Sequence, residues 1–161
     1  MFAKIAYNSP VGVLTVAAGE NGIVALTMAG QKYEERHLPP EAEERETPLL
    51  KSARAWLDRY FAGKQPVAAE LPLDLRGTEF QRSVWKALLT IPYGTVVTYG
   101  ELAKQLHSSP RAVGSAVGRN PINIIVPCHR VVGSDGSLTG YAGGVENKRR
   151  LLVIEGALDR S

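Results

Sequence analysis

The chain has 161 residues, 44% of them hydrophobic and 22% charged, an ordinary balance for one substantial globular domain or two small ones. No apolar run approaches the ~18 residues that span a bilayer, and the opening Met1-Phe2-Ala3-Lys4 lacks the apolar stretch of a signal peptide. A cytoplasmic protein with no membrane partner is therefore expected. The single cysteine, Cys128, excludes an intramolecular disulfide and a cysteine-based zinc cage, and His37, His107 and His129 show no ligand spacing. The net charge of +3 is uneven: residues 1–76 hold 9 Lys/Arg against 10 Asp/Glu, and residues 77–161 hold 10 against 6, so the halves carry −1 and +4. That asymmetry is compatible with nucleic-acid contact by the second half.

The first thirty residues predict an antiparallel meander. Apolar and β-branched runs over 2–7, 11–17 and 23–28 are separated by Asn8-Ser9-Pro10 and Glu20-Asn21-Gly22. The charged stretch 31–47, with Pro39-Pro40, reads as a solvated loop, partly helical. Leu49, Leu50, Ala53, Trp56, Leu57, Tyr60 and Phe61 then recur at helical spacing until Gly63, which marks the core face of a helix. Residues 66–74 read as a linker with a short strand, and the domain boundary falls near Arg76-Gly77.

The second half opens with Thr78 and Gln81 at capping-box spacing ahead of Phe80, Val84, Trp85, Leu88 and Leu89 on one helical face. Pro92-Tyr93-Gly94 ends that helix. Thr98 and Glu101 repeat the capping signal before a short helix through Leu106. Ser109 is placed as N-cap and Pro110 in the first turn of a further helix from Arg111 to Gly118. Two short helices joined by a brief turn make a helix-turn-helix. The second is built almost wholly of small residues, Ala112, Gly114, Ser115, Ala116 and Gly118, and each glycine costs a helix interior ~1 kcal/mol relative to alanine. Something must pack close to such a backbone, either a neighbouring helix or a narrow nucleic-acid groove.

Residues 120–133 join an apolar run to an abrupt polar cluster, Cys128-His129-Arg130. A cysteine attacks only as thiolate and needs a neighbour to take its proton or hold its charge. His129 and Arg130 are the candidates. On an extended segment successive side chains point to opposite faces, so a bridging water or a bent backbone would be needed between Cys128 and His129. The plainer alternative is a small buried hydrophobe beside a chance histidine.

Pro127-Cys128-His129-Arg130-Val131, preceded by Asn120-Pro121 and followed by Tyr141-Ala142-Gly143-Gly144, resembles the active-site signature of the O6-alkylguanine-DNA alkyltransferases. Tyr99, Arg111 and Glu155 complete a match running from about Thr78 to Gly156; Ser9-Pro10-Val11-Gly12 and the following strands resemble the family's smaller domain less specifically. The resemblance implies an amino-terminal α/β domain, 1–76, with an antiparallel sheet and a helix, and a mostly helical domain, 77–161, carrying the helix-turn-helix. It implies a partner, double-stranded DNA containing O6-alkylguanine, with O4-alkylthymine as the secondary expectation. The alkyl group passes to Cys128 and stays there, because a thioether has no easy leaving route, so each chain acts once. No cofactor or metal is implied, and a monomer is expected, with cooperative assembly on DNA as the alternative.

By the same resemblance the damaged nucleotide is flipped out of the duplex, at a cost of a few kcal/mol. The small-residue helix enters the minor groove with Ala112 and Ser115, and Arg111 fills the vacated space. Tyr99 crowds the target phosphate and offers a proton to the leaving guanine. His129, polarised by Glu155, is the base acting through water on Cys128; Asn120 fixes the site between helix and cysteine. Arg130 joins the DNA-binding residues, and Val131, Tyr141, Ala142, Gly143 and Gly144 line the base pocket. The chain departs from the family pattern at Asn123, where some members have proline, and at Ala142, where some have serine. Plainer readings are surface charge for Arg111, core packing for Tyr99, a surface carboxylate for Glu155 and an ordinary turn for the glycines. Two whole-protein alternatives are a helix-turn-helix regulator that performs no chemistry and a Cys-His hydrolase. A lesion-binding relative without the acceptor is disfavoured by the presence of Cys128.

Overall fold

The computed structural model describes residues 1–31 and 34–159, and the chain divides into two compact units, Met1–Arg76 with Pro121–Ile125, and Gly77–Asn120 with Val126–Ser161. In the first, strands β1 (Ala3–Ser9), β2 (Gly12–Ala18) and β3 (Ile23–Met28) form the expected meander, and the two-residue β4 (Glu43–Glu44) adds in parallel beside β1, giving the order β3-β2-β1-β4. Along β1, Ala3, Ile5 and Tyr7 are buried while Ala6 and Asn8 are exposed, the alternation of a strand with one face on the core. Every residue of β3 is buried, although β3 ends the order. Its outer edge is occupied: Ile23 N–H donates to Pro72 O at 2.9 Å, and Leu26 N–H to Pro121 O at 2.9 Å. Gly22 (φ +147°) enters β3 where a Cβ would lie 2.8 Å from Pro72 O, so only glycine fits that approach.

Within 31–47, the one-turn helix α1 (Glu34–His37) and β4 interrupt the solvated loop; Lys32 and Tyr33 lie outside the described residues. Helix α2 (Pro48–Phe61) starts at Thr47, whose hydroxyl accepts from Leu50 N–H at 3.2 Å, and Pro48 takes the first turn, where its missing N–H costs nothing. It packs on β1 and β2 through buried Leu50, Ala53, Trp56, Leu57 and Tyr60. The Trp56 indole donates to Val67 O at 2.9 Å and ties down the expected linker. That linker holds a 3₁₀ turn, Ala68–Glu70, and a single parallel bridge from Leu73 to Ile23 in place of a strand.

The expected continuous boundary at 76/77 needs a correction, because Pro121–Ile125 returns to the first unit. Asn123 N–H donates to Leu26 O at 3.0 Å, and its amide donates to Gln31 Oε1 at 2.9 Å. A run of apolar backbone is better satisfied on the free edge of β3 than left to solvent. Ile124 adopts φ +73°, a left-handed conformation that costs a β-branched residue roughly 1–2 kcal/mol.

The second unit is mostly helical. Helix α3 (Glu79–Leu88) begins in the expected capping box, with Gln81 N–H to Thr78 Oγ1 at 3.1 Å and Thr78 N–H to Gln81 Oε1 at 3.0 Å. Phe80, expected on its buried face, is 38% exposed because it falls in the first turn, beyond the core. Strand β5 (Val97–Thr98) leads into α4 (Tyr99–Gln105), whose capping box is Thr98 with Glu101. After a turn in which His107 has φ +53°, α5 (Pro110–Gly118) is capped by Ser109. Helices α4 and α5 pack on each other and α3 packs on α5, and the Trp85 indole of α3 donates to Ala116 O at 2.8 Å. A 3₁₀ turn, Cys128–Arg130, passes into β6 (Val131–Val132), parallel to β5. Helix α6 (Val145–Ile154) closes the chain, an element the sequence reading did not assign.

Candidate active site

The expected extended segment around Cys128 is a tight 3₁₀ turn, in which Cys128 N–H donates to Val126 O at 2.8 Å and Arg130 N–H to Pro127 O at 3.0 Å. The backbone is bent here rather than extended, so the alternation of faces expected for a strand does not apply to Cys128 and His129. Cys128 is 4% exposed and Asn120 2%. Asn120 follows α5, donates its amide to Val126 O at 2.8 Å and hydrogen-bonds the Cys128 thiol. One side chain thus links the end of α5 to the sulfur. Burial pushes the thiol up to about 11, against which the Asn120 hydrogen bond and the Lys148 charge pull it down.

His129 is fully buried, and its Nε2 lies 2.6 Å from Glu155 Oε2. Arg130 clasps the same carboxylate bidentately, Nε to Oε1 at 2.8 Å and Nη2 to Oε2 at 3.0 Å, and Nη1 donates to Ile91 O at 2.7 Å. Burial raises the Glu155 carboxyl, but His129 and Arg130 outweigh it and hold it well below the carboxylate range. Burial likewise lowers His129, with Glu155 only partly opposing. The site therefore contains a carboxylate, a guanidinium and a neutral imidazole. An ionised Glu155 fixes the imidazole proton on Nε2, which leaves Nδ1 as a bare base; Nδ1 is buried with no hydrogen-bond partner. That nitrogen is free to accept a proton.

Arg130, expected among the DNA-binding residues, is turned inward. Its side chain is 10% exposed and its guanidinium is spent on Glu155 and Ile91, because a buried carboxylate needs a cation. Glu155, equally, is no surface carboxylate. Its position follows from α6, which places Lys148, Leu151 and Leu152 on the buried face and Glu155 as the C-cap one turn further on.

Tyr99, half-buried at the start of α4, donates to Thr139 O at 3.4 Å. Its phenol is raised by burial and by the charge at Cys128, as is that of Tyr141, so both rings stand within electrostatic reach of the sulfur. The Tyr141 hydroxyl is buried without a partner. Val131 is fully buried beside the turn. Gly144 N–H donates to Tyr141 O at 2.9 Å, and Gly143 O accepts from the Asn147 amide at 2.9 Å, so Tyr141 to Gly144, with Ala142 between them, form one turn leading into α6. Arg111 and Ser115 are exposed and Ala112 half-exposed on α5. The sequence reading missed Lys148, fully buried on α6 with Nζ donating to Thr139 O at 2.9 Å. The signal was the spacing 148/151/152/155, one helical face. Among the described residues no group of three or more His, Cys, Asp or Glu is placed to hold a metal ion.

A helix-turn-helix set beside a buried thiol with a carboxylate-oriented imidazole defines a nucleic-acid-binding fold that carries a sulfur nucleophile. A family profile described as the 6-O-methylguanine DNA methyltransferase DNA-binding domain matches residues 79–157, and that family's ribonuclease-like domain matches 3–75. The methylated-DNA–protein-cysteine methyltransferase of Mycobacterium tuberculosis is 48% identical over 152 residues, 92% of this chain and 88% of that protein. That of Methanosarcina acetivorans is 46% identical over 154 residues, 94% and 96% of the two chains. A crystal structure of the M. tuberculosis protein in complex with DNA superposes with a TM-score of 0.85 at 44% identity, covering 96% of this chain and 93% of that one. The chain belongs to the O6-methylguanine-DNA methyltransferase family. It is a DNA-binding, direct-reversal repair protein whose alkyl acceptor is a cysteine, and Cys128 is the only one present.

Proposed function

We propose that the protein takes the alkyl group of a flipped O6-alkylguanine onto Cys128 by in-line displacement, with O4-alkylthymine as a secondary substrate. His129 Nδ1 accepts the thiol proton through a water while Glu155 stabilises the imidazolium that forms. The sulfur attacks the alkyl carbon, the carbon–oxygen bond breaks, and its electron pair stays on the guanine, which takes a proton from Tyr99. Asn120 orients the sulfur, and Val131, Tyr141, Ala142, Gly143 and Gly144 enclose the base. Arg111 occupies the space the base leaves, with Ala112 and Ser115 in the minor groove.

The observation that carries this reading is the unpartnered Nδ1 of His129, opposite an Nε2 committed to Glu155. The groove reading of α5 is supported by its glycines. A Cβ on Gly118 would meet nothing within 4 Å, and one on Gly114 only the Tyr99 ring at 3.8 Å, ordinary contact. Internal packing does not demand these glycines; a close external surface would. A free thiol persists in a reducing compartment, which supports a cytoplasmic site of action, and we take the acting unit to be a monomer.

Incubation with a duplex containing labelled O6-methylguanine, followed by mass spectrometry, tests the reading. One methyl per chain on Cys128, abolished in Cys128→Ser, is the expected result. Repeated turnover, or methyl found elsewhere, overturns it and favours the hydrolase or another acceptor.

A further inference from the structure

Lys148 is the one fully buried cation among the described residues that has no carboxylate. Burial of a charge costs several kcal/mol unless something opposite stands nearby. Its neighbours are known: Nζ donates to Thr139 O at 2.9 Å and lies 5.8 Å from the centre of the Tyr99 ring. The carbonyl and the ring face stabilise an ammonium without neutralising it. Burial lowers Lys148 to about 8 although the charge at Cys128 opposes it, so the ammonium predominates at neutral pH. Tyr99 from α4 and Tyr141 from the loop before α6 feel the charge at the sulfur, and the remaining titratable or charged groups of the site are His129 and Arg130 in the 3₁₀ turn and Glu155 at the end of α6. Arg130 and Glu155 cancel each other, His129 is neutral, and the two phenols stay protonated. Among these groups, Lys148 alone has no anionic partner until Cys128 becomes a thiolate.

We propose that Lys148 is the counter-cation of the Cys128 thiolate, holding the negative sulfur in a buried site whose other charges are already paired. The role deepens the proposed mechanism and rests on Cys128 as acceptor. As the thiol proton leaves through water to His129, the charge left on sulfur faces the Lys148 ammonium. When the sulfur–carbon bond forms and the carbon–oxygen bond breaks, the sulfur becomes a neutral thioether and the displaced pair resides on guanine. Lys148 keeps its protons throughout. The same ammonium, through Thr139 O, also anchors the loop whose carbonyl receives the Tyr99 hydroxyl, so a purely structural role has to be separated from the electrostatic one.

The test is the pH dependence of thiol alkylation by iodoacetamide in the full-length protein, its Lys148→Met variant and its Lys148→Arg variant, with products identified by mass. Methionine keeps the length and apolar stem of lysine, and such replacements of buried charges are often tolerated. The Met variant is expected to shift the midpoint upward by about one pH unit or more, roughly a tenfold loss of thiolate near neutrality, and Arg to restore most of it. Coincident profiles in all three proteins overturn the proposal and leave Lys148 a loop anchor. Should the Met variant not fold, NMR titration of the Lys148 ammonium in the native protein and in Cys128→Ser decides the matter, because coupling between two sites is reciprocal. A lower Lys148 midpoint in the Ser variant supports the pair, and an unchanged one removes it. Methyl transfer that survives Cys128→Ser would instead defeat the acceptor assignment, a separate outcome.

Discussion

Glu155 is the residue on which the site turns. Its two oxygens receive both His129 and Arg130, so its loss leaves a buried guanidinium uncompensated and frees the imidazole tautomer. Glu155→Ala is expected to destabilise the protein by about 3–5 kcal/mol, measured by urea unfolding, and to slow methyl transfer further than stability alone explains. His129 gives a pH signature. Its folded value lies below the ordinary 6.5, so near that pH the unfolded chain binds more protons and stability rises with pH. The contribution is complete above 6.5 and declines on acidification. Glu155, depressed from 4.5, adds a second loss in the same direction at lower pH. The melting temperature should therefore fall between about pH 7 and pH 5, and His129→Gln should flatten that limb while leaving the more acidic one. Equal slopes in both proteins would show that His129 is not its source.

Helix α5 presents Arg111, Ser115 and Gly118 on its exposed side, with the C-cap Arg119 exposed just beyond them, the i, i+4, i+7 pattern of one face. Gly118 has room for a Cβ, which separates two reasons for a small residue. Gly118→Ala is expected to stabilise the fold by about 0.5–1 kcal/mol through helix propensity and at the same time to weaken duplex affinity. Gain in melting temperature with undiminished DNA binding would take α5 out of the groove. Arg111→Ala should leave the melting temperature within error yet reduce repair in duplex more than in a single strand, where no base has to be displaced. Equal losses on both substrates would make Arg111 a plain phosphate contact.

At the scale of the whole chain, the first unit does more than precede the second. It receives Pro121–Ile125 on the edge of β3, with Ile122, Ile124 and Ile125 all buried. These residues sit between Asn120 and Cys128, both part of the site. A fragment beginning at residue 77 would expose the three isoleucines and release the backbone bonds to Leu26. Such a fragment is expected to unfold with a broad, weakly cooperative transition by circular dichroism and to accept methyl groups far more slowly than the full chain. A sharp transition with native transfer rates would show that the edge pairing is dispensable.

The three strands of the meander, α2, α3 and both helices of the helix-turn-helix were legible because each carries a local signal. Thr47, Thr78, Thr98 and Ser109 cap helices by bonds that close within three residues, and alternation in β1 needs only neighbours. The reactive cysteine was legible because Pro127 to Val131 is a contiguous motif. Tertiary structure alone decided the rest, and the reason is sequence distance. Arg130 meets Glu155 across 25 residues and Asn123 meets Gln31 across 92, so no local pattern shows that the arginine faces inward or that 121–125 completes a distant sheet. Lys148 was hidden for the same reason: a lysine reads as solvent-exposed until the fold encloses it, and its value lies in the sulfur it stands near.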